Sequence, residues 1–282
     1  MKVDNQYEYT KLPTGKAIIC ACDQIYFDKF YLNLKNSFME NISAYDCLHV
    51  HIINPNSECI QTLSKENNEK LSFSWESSKN IRKINDIKIS KSMLKSSLPR
   101  KIKAMLIEES MSGKPIFQKL MVLAYNAGLP WNYLISNNFL QKDQLRTYYA
   151  LRRFIMPKTI FKNLTEILLI DIDSIFKKDF YTLSHDEHSV KAIKRSEVSW
   201  SNYYAGIVMV RLDKKGILFI SRLSKILKSY LKKNIFFWGM DQLAIDECAS
   251  LNLIQPLNSD LMNFKDNEEA KFISYKGDEK WK

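Results

Sequence analysis

The densest chemistry in this sequence lies at Asp171-Ile172-Asp173, directly after the continuous apolar run Ile167-Leu168-Leu169-Ile170. Such a run suits a strand buried on both faces. Side chains alternate faces along a strand, so the spacing predicts Asp171 and Asp173 on one side and Ile172 in the core. Two neighbouring carboxylates repel each other unless a positive charge answers them. A divalent cation does so, and oxygen-only ligation suits Mg²⁺ or Mn²⁺, which keep waters and bridge substrate phosphates. In open α/β sheets ligands gather at the carboxyl ends of strands, where this pair is expected. The alternative is a turn Asp followed by a helix-capping Asp. The strand ahead and Ser174-Ile175-Phe176 behind favour the metal site.

The surrounding elements must place that pair. Lys16–Cys22 reads as a buried strand, and Ile25, Phe27, Phe30, Tyr31, Leu34 and Phe38 follow near helical spacing. His49–Ile53 is a second strand, stopped by Asn54-Pro55, and Leu71–Trp75 a short third. Strand, helix, strand in this order argues for an α/β fold with parallel crossovers. The spacing also predicts a weak strand at Ile84–Ile89, helices at Met93–Ile107, from Pro115 to about Gly128, and from about Asp143 to Ile155. Strands are expected at Val190–Lys194, Ile207–Leu212 and Lys271–Tyr275, and helices at Lys215–Lys232 and Asp241–Leu251. Residues 1–16 are polar and read as a lead-in to one domain over 17–282, with 77–140 a variable insertion.

Composition excludes several classes. The chain has 282 residues, 45% hydrophobic and 26% charged, so it is neither disordered, collagen-like nor a disulfide mini-scaffold. Its apolar runs, such as Ala17–Cys22, fall well short of the roughly 20 residues a membrane helix needs. The polar start Met1–Gln6 is unlike a signal peptide, and the five cysteines (Cys20, Cys22, Cys47, Cys59, Cys248) form no regular framework. Together these lead to the expectation of reduced thiols in the cytoplasm, with peripheral contact at a membrane face left open. Cys20 and Cys22 lack a Cys/His partner at finger-like spacing, so they read as strand residues. His49 and His51 read as satisfied core or edge residues, His185–His188 as a surface loop, and Trp75, Trp131, Trp200 and Trp238 as core. Trp200 and Trp238 lie just ahead of two motifs described below and are the better candidates to meet an acceptor.

The formal charge is 42 − 31 = +11. That calls for an acidic partner or a solvated basic surface. The clusters Arg100-Lys101-Ile102-Lys103, Lys214-Lys215 and Lys232-Lys233 do not interleave with aromatics, so no specific nucleic acid is expected.

Two enzyme chemistries use an Asp-x-Asp after a buried strand. In haloacid-dehalogenase-like phosphatases the first Asp is a nucleophile, but there the motif opens its domain, whereas here at least two strands precede it. The other chemistry is glycosyl transfer from a nucleotide sugar. From about Ala17 to Trp281, with a poor match at 77–140, the series of segments resembles the family 8-type glycosyltransferases. Ile18–Asp23 followed by Tyr26 is similar to their first strand and uridine-binding turn. Arg153-Phe154 resembles their arginine ahead of the metal motif, and Ile167–Phe176 their "LLYLDID" strand. Tyr203–Val210 resembles "FNAG", Asp241-Gln242 with Asp246 resembles "DQxxLN", and Ser274–Trp281 resembles "HFxGxxKPW".

The resemblance implies a GT-A type α/β fold, a central mixed, mostly parallel sheet flanked by helices in a single domain. It implies a UDP-sugar donor, a hexosyl group moved with retention, and a glycan, lipid or protein acceptor. Asp171, Asp173 and Ser274 would be the metal ligands for Mn²⁺ or Mg²⁺. Ala21, Cys22, Asp23, Tyr26, Arg153, Ile172, Gly277 and Lys280 would meet the nucleotide, and Asp241, Gln242 and Arg153 would serve catalysis. Asp23 has a second reading as the cap of the helix that follows, and Asp241 as a carboxylate favoured by a helix N-terminus. Three positions depart from the family: Ser274 stands where it has His, Tyr204 where it has Asn, and the Pro of "KPW" is missing. The first two motivate an alternative, a nucleotide-sugar or glycan-binding protein without turnover.

Overall fold

The computed structural model describes residues 6–77, 115–127, 144–184, 186–194, 201–232, 239–257, 261–263 and 270–274. The expected elements at Ile84–Ile89 and Met93–Ile107 lie outside these residues, as do Trp131, His185, Trp200, Trp238, Gly277, Lys280 and the Arg100–Lys103 cluster.

Strands β1 (Gln6–Tyr9), β2 (Gly15–Asp23), β3 (Cys47–Ile53), β4 (Leu71–Ser77), β5 (Leu164–Ile170), β7 (Val190–Lys194), β8 (Tyr203–Arg211) and β9 (Gln255–Leu257) make one sheet. Its order is β1-β4-β3-β2-β5-β8-β7-β9. Four of its seven neighbouring pairs are parallel, β4-β3, β3-β2, β2-β5 and β7-β9. The expected mixed, mostly parallel sheet in a single domain is thus the one found. A second sheet joins β6 (Ser174–Phe176), β10 (Met262–Asn263) and β11 (Phe272–Ser274) in the order β10-β11-β6.

The helices are α1 (Gln24–Asn41), α2 (Ser57–Ser64), α3 (Pro115–Asn126), α4 (Gln144–Arg152), α5 (Lys214–Lys232) and α6 (Met240–Ala249). β2-α1-β3-α2-β4 are the parallel crossovers that the strand-helix-strand order implies. Asp23 and Asn56 start α1 and α2 by accepting from the Tyr26 amide at 2.9 Å and the Cys59 amide at 2.7 Å, which satisfies amides the helix leaves open. The lead-in is not structureless: its alternating Gln-Tyr-Glu-Tyr forms β1, antiparallel to β4 at the sheet edge. On α3 the apolar residues Ile116, Leu120 and Leu123 are exposed, while Ala124 is half-buried.

Strand periodicity divides the core. Ile18, Cys20, Cys22, Leu168 and Ile170 pack on the α1 side, whereas Ala17, Ile19, Ala21, Ile167 and Leu169 pack toward α4, α5 and α6. All five cysteines are buried free thiols, and burial pushes Cys248 up to about 12. Trp75 is core, as expected.

One stretch of the sheet is polar although buried. His49 and His51 on β3 stand beside Ser72, Ser74 and Glu76 on β4. His49 bonds Ser72 Oγ at 2.7 Å through Nδ1 and Ser74 Oγ at 2.9 Å through Nε2, and His51 Nδ1 meets the Ser74 hydroxyl at 2.8 Å. Glu76 accepts from Arg152 at 2.5 Å, and Arg152 also donates to the Tyr7 hydroxyl of β1. His49 is thus a satisfied core histidine, as the sequence suggests, whereas His51, equally buried, has no hydrogen-bond partner at Nε2 among the described residues; that atom stands 3.8 Å from Glu76 Oε2.

Gly216 sits where α5 meets the end of β8. A Cβ there would stand 1.8 Å from the Arg211 carbonyl oxygen, so the helix approaches this closely only because the side chain is absent. Alanine in a helix interior ordinarily gains about 0.5–1 kcal/mol over glycine. Here the backbone overlap reverses the sign, and Gly216→Ala is expected to cost roughly 1–3 kcal/mol in a urea titration. A neutral or stabilising result would contradict the packing.

Burial lowers His49 to about 3, with His51 adding to the effect. Its free pKa is near ~6.5, so the unfolded chain takes the proton first. The stability from the neutral ring is complete above that value and is lost as pH falls toward the folded value, at up to ~1.4 kcal/mol per pH unit. Between pH ~6.5 and ~4.5, above the range where most carboxylates titrate, the native protein should lose more stability than His49→Gln. Equal losses would sink this assignment.

Candidate active site

The site forms where β2, β5 and β8 end or begin together. β2 and β5 are parallel, their ladder ending with Ile19 opposite Leu169. β8 is antiparallel to β5, with Ile170 opposite Ile207, and Arg153 contacts both Asp171 and the Ala205 carbonyl just beyond that pair. The carboxyl ends of β2 and β5 thereby meet the amino end of β8.

Arg153, one residue past α4, is 1% exposed and joins these ends. Its Nη1 reaches Asp171 Oδ1 at 2.5 Å. Its Nη2 donates to the Ala205 carbonyl at 3.0 Å and approaches Asp241 Oδ2 at 3.4 Å. The guanidinium carbon lies 4.6 Å from the centre of the Phe154 ring. Burial alone would pull a guanidinium pKa down, but Asp171 and Asp241 outweigh it and Arg153 is raised. Burial pushes the Asp241 carboxyl up, and the long contact to Arg153 only partly opposes this.

Asp241 is the second residue of α6, behind Gly239, whose φ of 83° is a left-handed conformation that glycine accepts without strain. Its Oδ1 accepts from the Gln242 amide at 2.9 Å, so one carboxyl oxygen closes the helix start while the other faces Arg153. Gln242 is buried. Further along α6, Asp246 accepts from the Asn202 side chain at 2.6 Å and ties the helix to the residue ahead of β8.

Neither acid of the motif is a strand residue, contrary to the expectation from alternation. β5 stops at Ile170, and Ile172-Asp173 turn the chain into β6, which belongs to the other sheet. Strand alternation therefore cannot place Asp171 and Asp173 on one face. Ile172 does enter the α1-side core. The Asp171 side chain is 29% exposed, whereas Asp173 is buried.

Ser274 reaches the motif through register. It pairs with Ser174, the residue after Asp173, across the antiparallel β6-β11 ladder. Both hydroxyls are buried; Ser174 Oγ has no hydrogen-bond partner, and Ser274 Oγ has only a 3.3 Å approach from the Tyr204 hydroxyl. The Tyr204 ring folds over Gly206, where a Cβ would stand 2.2 Å from a ring carbon. Two of the three departures from the family pattern thus touch each other. Burial, with Asp171 and Asp173 nearby, holds the Tyr204 phenol well above its usual pKa.

Ala21, Cys22 and Asp23 end β2, and Tyr26 lies in the first turn of α1. Asp23 is the cap of α1, the second role foreseen for it. The Cys22 thiol is buried on the α1 side. Residues that sequence reasoning missed are Ser174, the Ala205 carbonyl and Asn202. The first two flank motifs already visible, and only the β6-β11 and β5-β8 registers reveal them.

No family model matches the chain, and no curated protein matches it. Among solved structures it is similar to the apo-form glycosyltransferase GlyE of Streptococcus pneumoniae TIGR4, at 11% identity and TM-score 0.47 over 89% of this chain. The chain spans 46% of the GlyE chain. It is also similar to apo mouse xyloside xylosyltransferase 1, at 11% identity and TM-score 0.40, over 88% of this chain and 86% of that one. Identities and TM-scores this low transfer no chemistry, so any activity has to be read from the side chains themselves.

Arg153→Met leaves Asp171 and Asp241 without their common cation. Removing one partner of a buried pair typically costs roughly 3–5 kcal/mol. Urea titration should show a loss of that order, and adding Asp171→Asn should recover part of it. Strictly additive losses would mean that Arg153 does not hold these carboxylates.

Proposed function

We propose that the chain is a metal-dependent glycosyltransferase that moves a hexosyl group from a UDP-sugar to a glycan, lipid or protein acceptor with retention of configuration. The observation that carries this reading is the imbalance around Arg153. Among the described residues, Asp171 and Asp241 meet one guanidinium, and Asp173 follows two residues behind Asp171. The two carboxylates on this one guanidinium leave an excess of one negative charge, which a bound cation would help to offset. Among the described residues no group of three His, Cys, Asp or Glu side chains suits a metal ion. A cation here would have two carboxylate ligands and complete its shell with water and phosphate oxygens, the habit of Mg²⁺ and Mn²⁺. The buried hydroxyls of Ser174 and Ser274 lie beside the motif and fit a hard, oxygen-liganded ion.

Asp171 and Asp173 would hold Mn²⁺ or Mg²⁺, which when bound offsets charge on the departing diphosphate. Arg153 fixes one oxygen of Asp171 and leaves the other directed elsewhere. Asp23 and Tyr26, at the end of the neighbouring strand, are suited to the nucleoside: an acceptor oxygen for the base edge and an aromatic face for stacking. Asp241 and Gln242, brought to the same place by Gly239 and Arg153, would meet the sugar hydroxyls. A carboxylate beneath the ring stabilises oxocarbenium-like charge, as glycosidase carboxylates do. The Tyr204–Ser274 contact favours one competing reading, a binding protein without turnover, because two hydroxyls that touch each other are poorer ligands than an imidazole.

Calorimetric titration with UDP should show binding strengthened at least about tenfold by Mn²⁺, a coupling of ~1.4 kcal/mol. Asp171→Asn and Asp173→Asn should abolish that gain. UDP-glucose, UDP-galactose and their N-acetyl forms should release UDP slowly without acceptor, with the sugar's starting anomer recovered by NMR. Metal-linked binding that survives both substitutions would overturn the proposal, and tight binding with no turnover on a broad acceptor panel would select the binding protein.

A further inference from the structure

Among the described helices, α5 carries the largest net positive charge. α5 carries Lys214, Lys215, Arg222, Lys225, Lys228 and Lys232 and no Asp or Glu, a charge of 6 − 0 = +6 out of the chain's 42 − 31 = +11. All six are exposed, and none forms an ion pair with a described residue. At about 100° per residue, Lys214, Arg222, Lys225, Lys228 and Lys232 fall within an arc of about 120°. The opposite face, with Phe219, Leu223, Leu227 and Leu231, is buried in the core. Lys214 and Lys232, which look separate in the sequence, begin and end one stripe along its outer surface.

The surroundings reinforce that charge. Lys228 is lowered by partial burial and by the cations Arg152, Lys158 and Lys232 around it. The carboxylate at the start of the helix, Asp213, is committed elsewhere. It accepts from the Gly216 and Lys215 amides at 3.0 Å, and from Arg211 at 3.0 Å and Ser189 at 2.7 Å.

The outer face also carries two large apolar side chains. Ile217 is 57% and Leu218 55% exposed, both within the first turn and a half of the helix. A cationic stripe with aliphatic side chains at one end matches an anionic bilayer surface, where cations meet headgroups and short aliphatic chains enter the acyl boundary. A nucleic acid would use the cations but gains nothing from Ile217 and Leu218, and no aromatic ring stands on this face for bases to stack on.

We infer that the outer face of α5 docks the protein, lying flat, on an anionic lipid surface. No described helix is long and apolar enough to cross a membrane, so the contact is peripheral. This inference stands independently of the donor-site reading.

The test is flotation of the full chain with vesicles. Phosphatidylcholine containing phosphatidylglycerol should carry the protein at low salt, and phosphatidylcholine alone should not. Each cation removed should lower affinity roughly fivefold, so Lys225→Glu with Lys228→Glu should lower it well over tenfold. Ile217→Ser with Leu218→Ser should lower it by about tenfold and leave the salt dependence in place. If a reversal variant fails to fold, Leu218→Cys carrying a polarity-sensitive fluorophore replaces it, since the native thiols are buried. Its emission should shift to the blue on anionic vesicles. No flotation, flotation indifferent to both double variants, or an unshifted probe would each overturn the inference. So would binding to a single-stranded oligonucleotide, weakened by the charge reversals alone, in the absence of any vesicle binding.

Discussion

A guanidinium that is 1% exposed has to be neutralised where it stands, and Arg153 takes its neutralising charges from separate parts of the chain. Asp171 comes from the end of β5 and Asp241 from the start of α6, while the Ala205 carbonyl comes from β8. None of these groups is near another in sequence. The ion therefore sets the relative placement of a helix end, a strand end and a helix start. Isolating a charge in the interior is costly, so the three must close on it together.

The elements holding these groups depend on small local devices. Gly239 adopts a left-handed conformation so that α6 opens with Asp241 facing inward. Gly206 leaves room for the Tyr204 ring, and Gly216 lets α5 press onto the end of β8. Gly206 lies near the start of β8 and Gly216 just past its end, while Gly239 directly precedes α6. Packing at these junctions, more than helix propensity, fixes how closely the layers approach.

Much of this arrangement was legible in the sequence. The apolar runs of β2, β3, β5 and β8 and the amphipathic α5 follow periodicity within a few residues. The Asp-x-Asp motif was visible because four apolar residues lead into it, and Arg153 and Asp241 because they sit in a recognisable series of motifs. What periodicity could not supply was register. It could not show that β5 stops before Asp171, or that Ser174 and Ser274 pair across two strands a hundred residues apart. The strand in the lead-in escaped because its four polar and aromatic residues alternate at the sheet edge, where one face needs no apolar signal. The histidines of β3 were legible as interior residues, but which serines of β4 meet them follows only from the β3-β4 register.

Arg152 and Arg153 are consecutive, yet they answer to different acids: the first to Glu76 and the Tyr7 hydroxyl, the second to Asp171 and Asp241. Losing or gaining a single amino acid just upstream would rotate the backbone by about 100° and present each cation to the wrong creditor. The final turn of this helix behaves like a key cut on both edges, able to change only when two distant locks change with it.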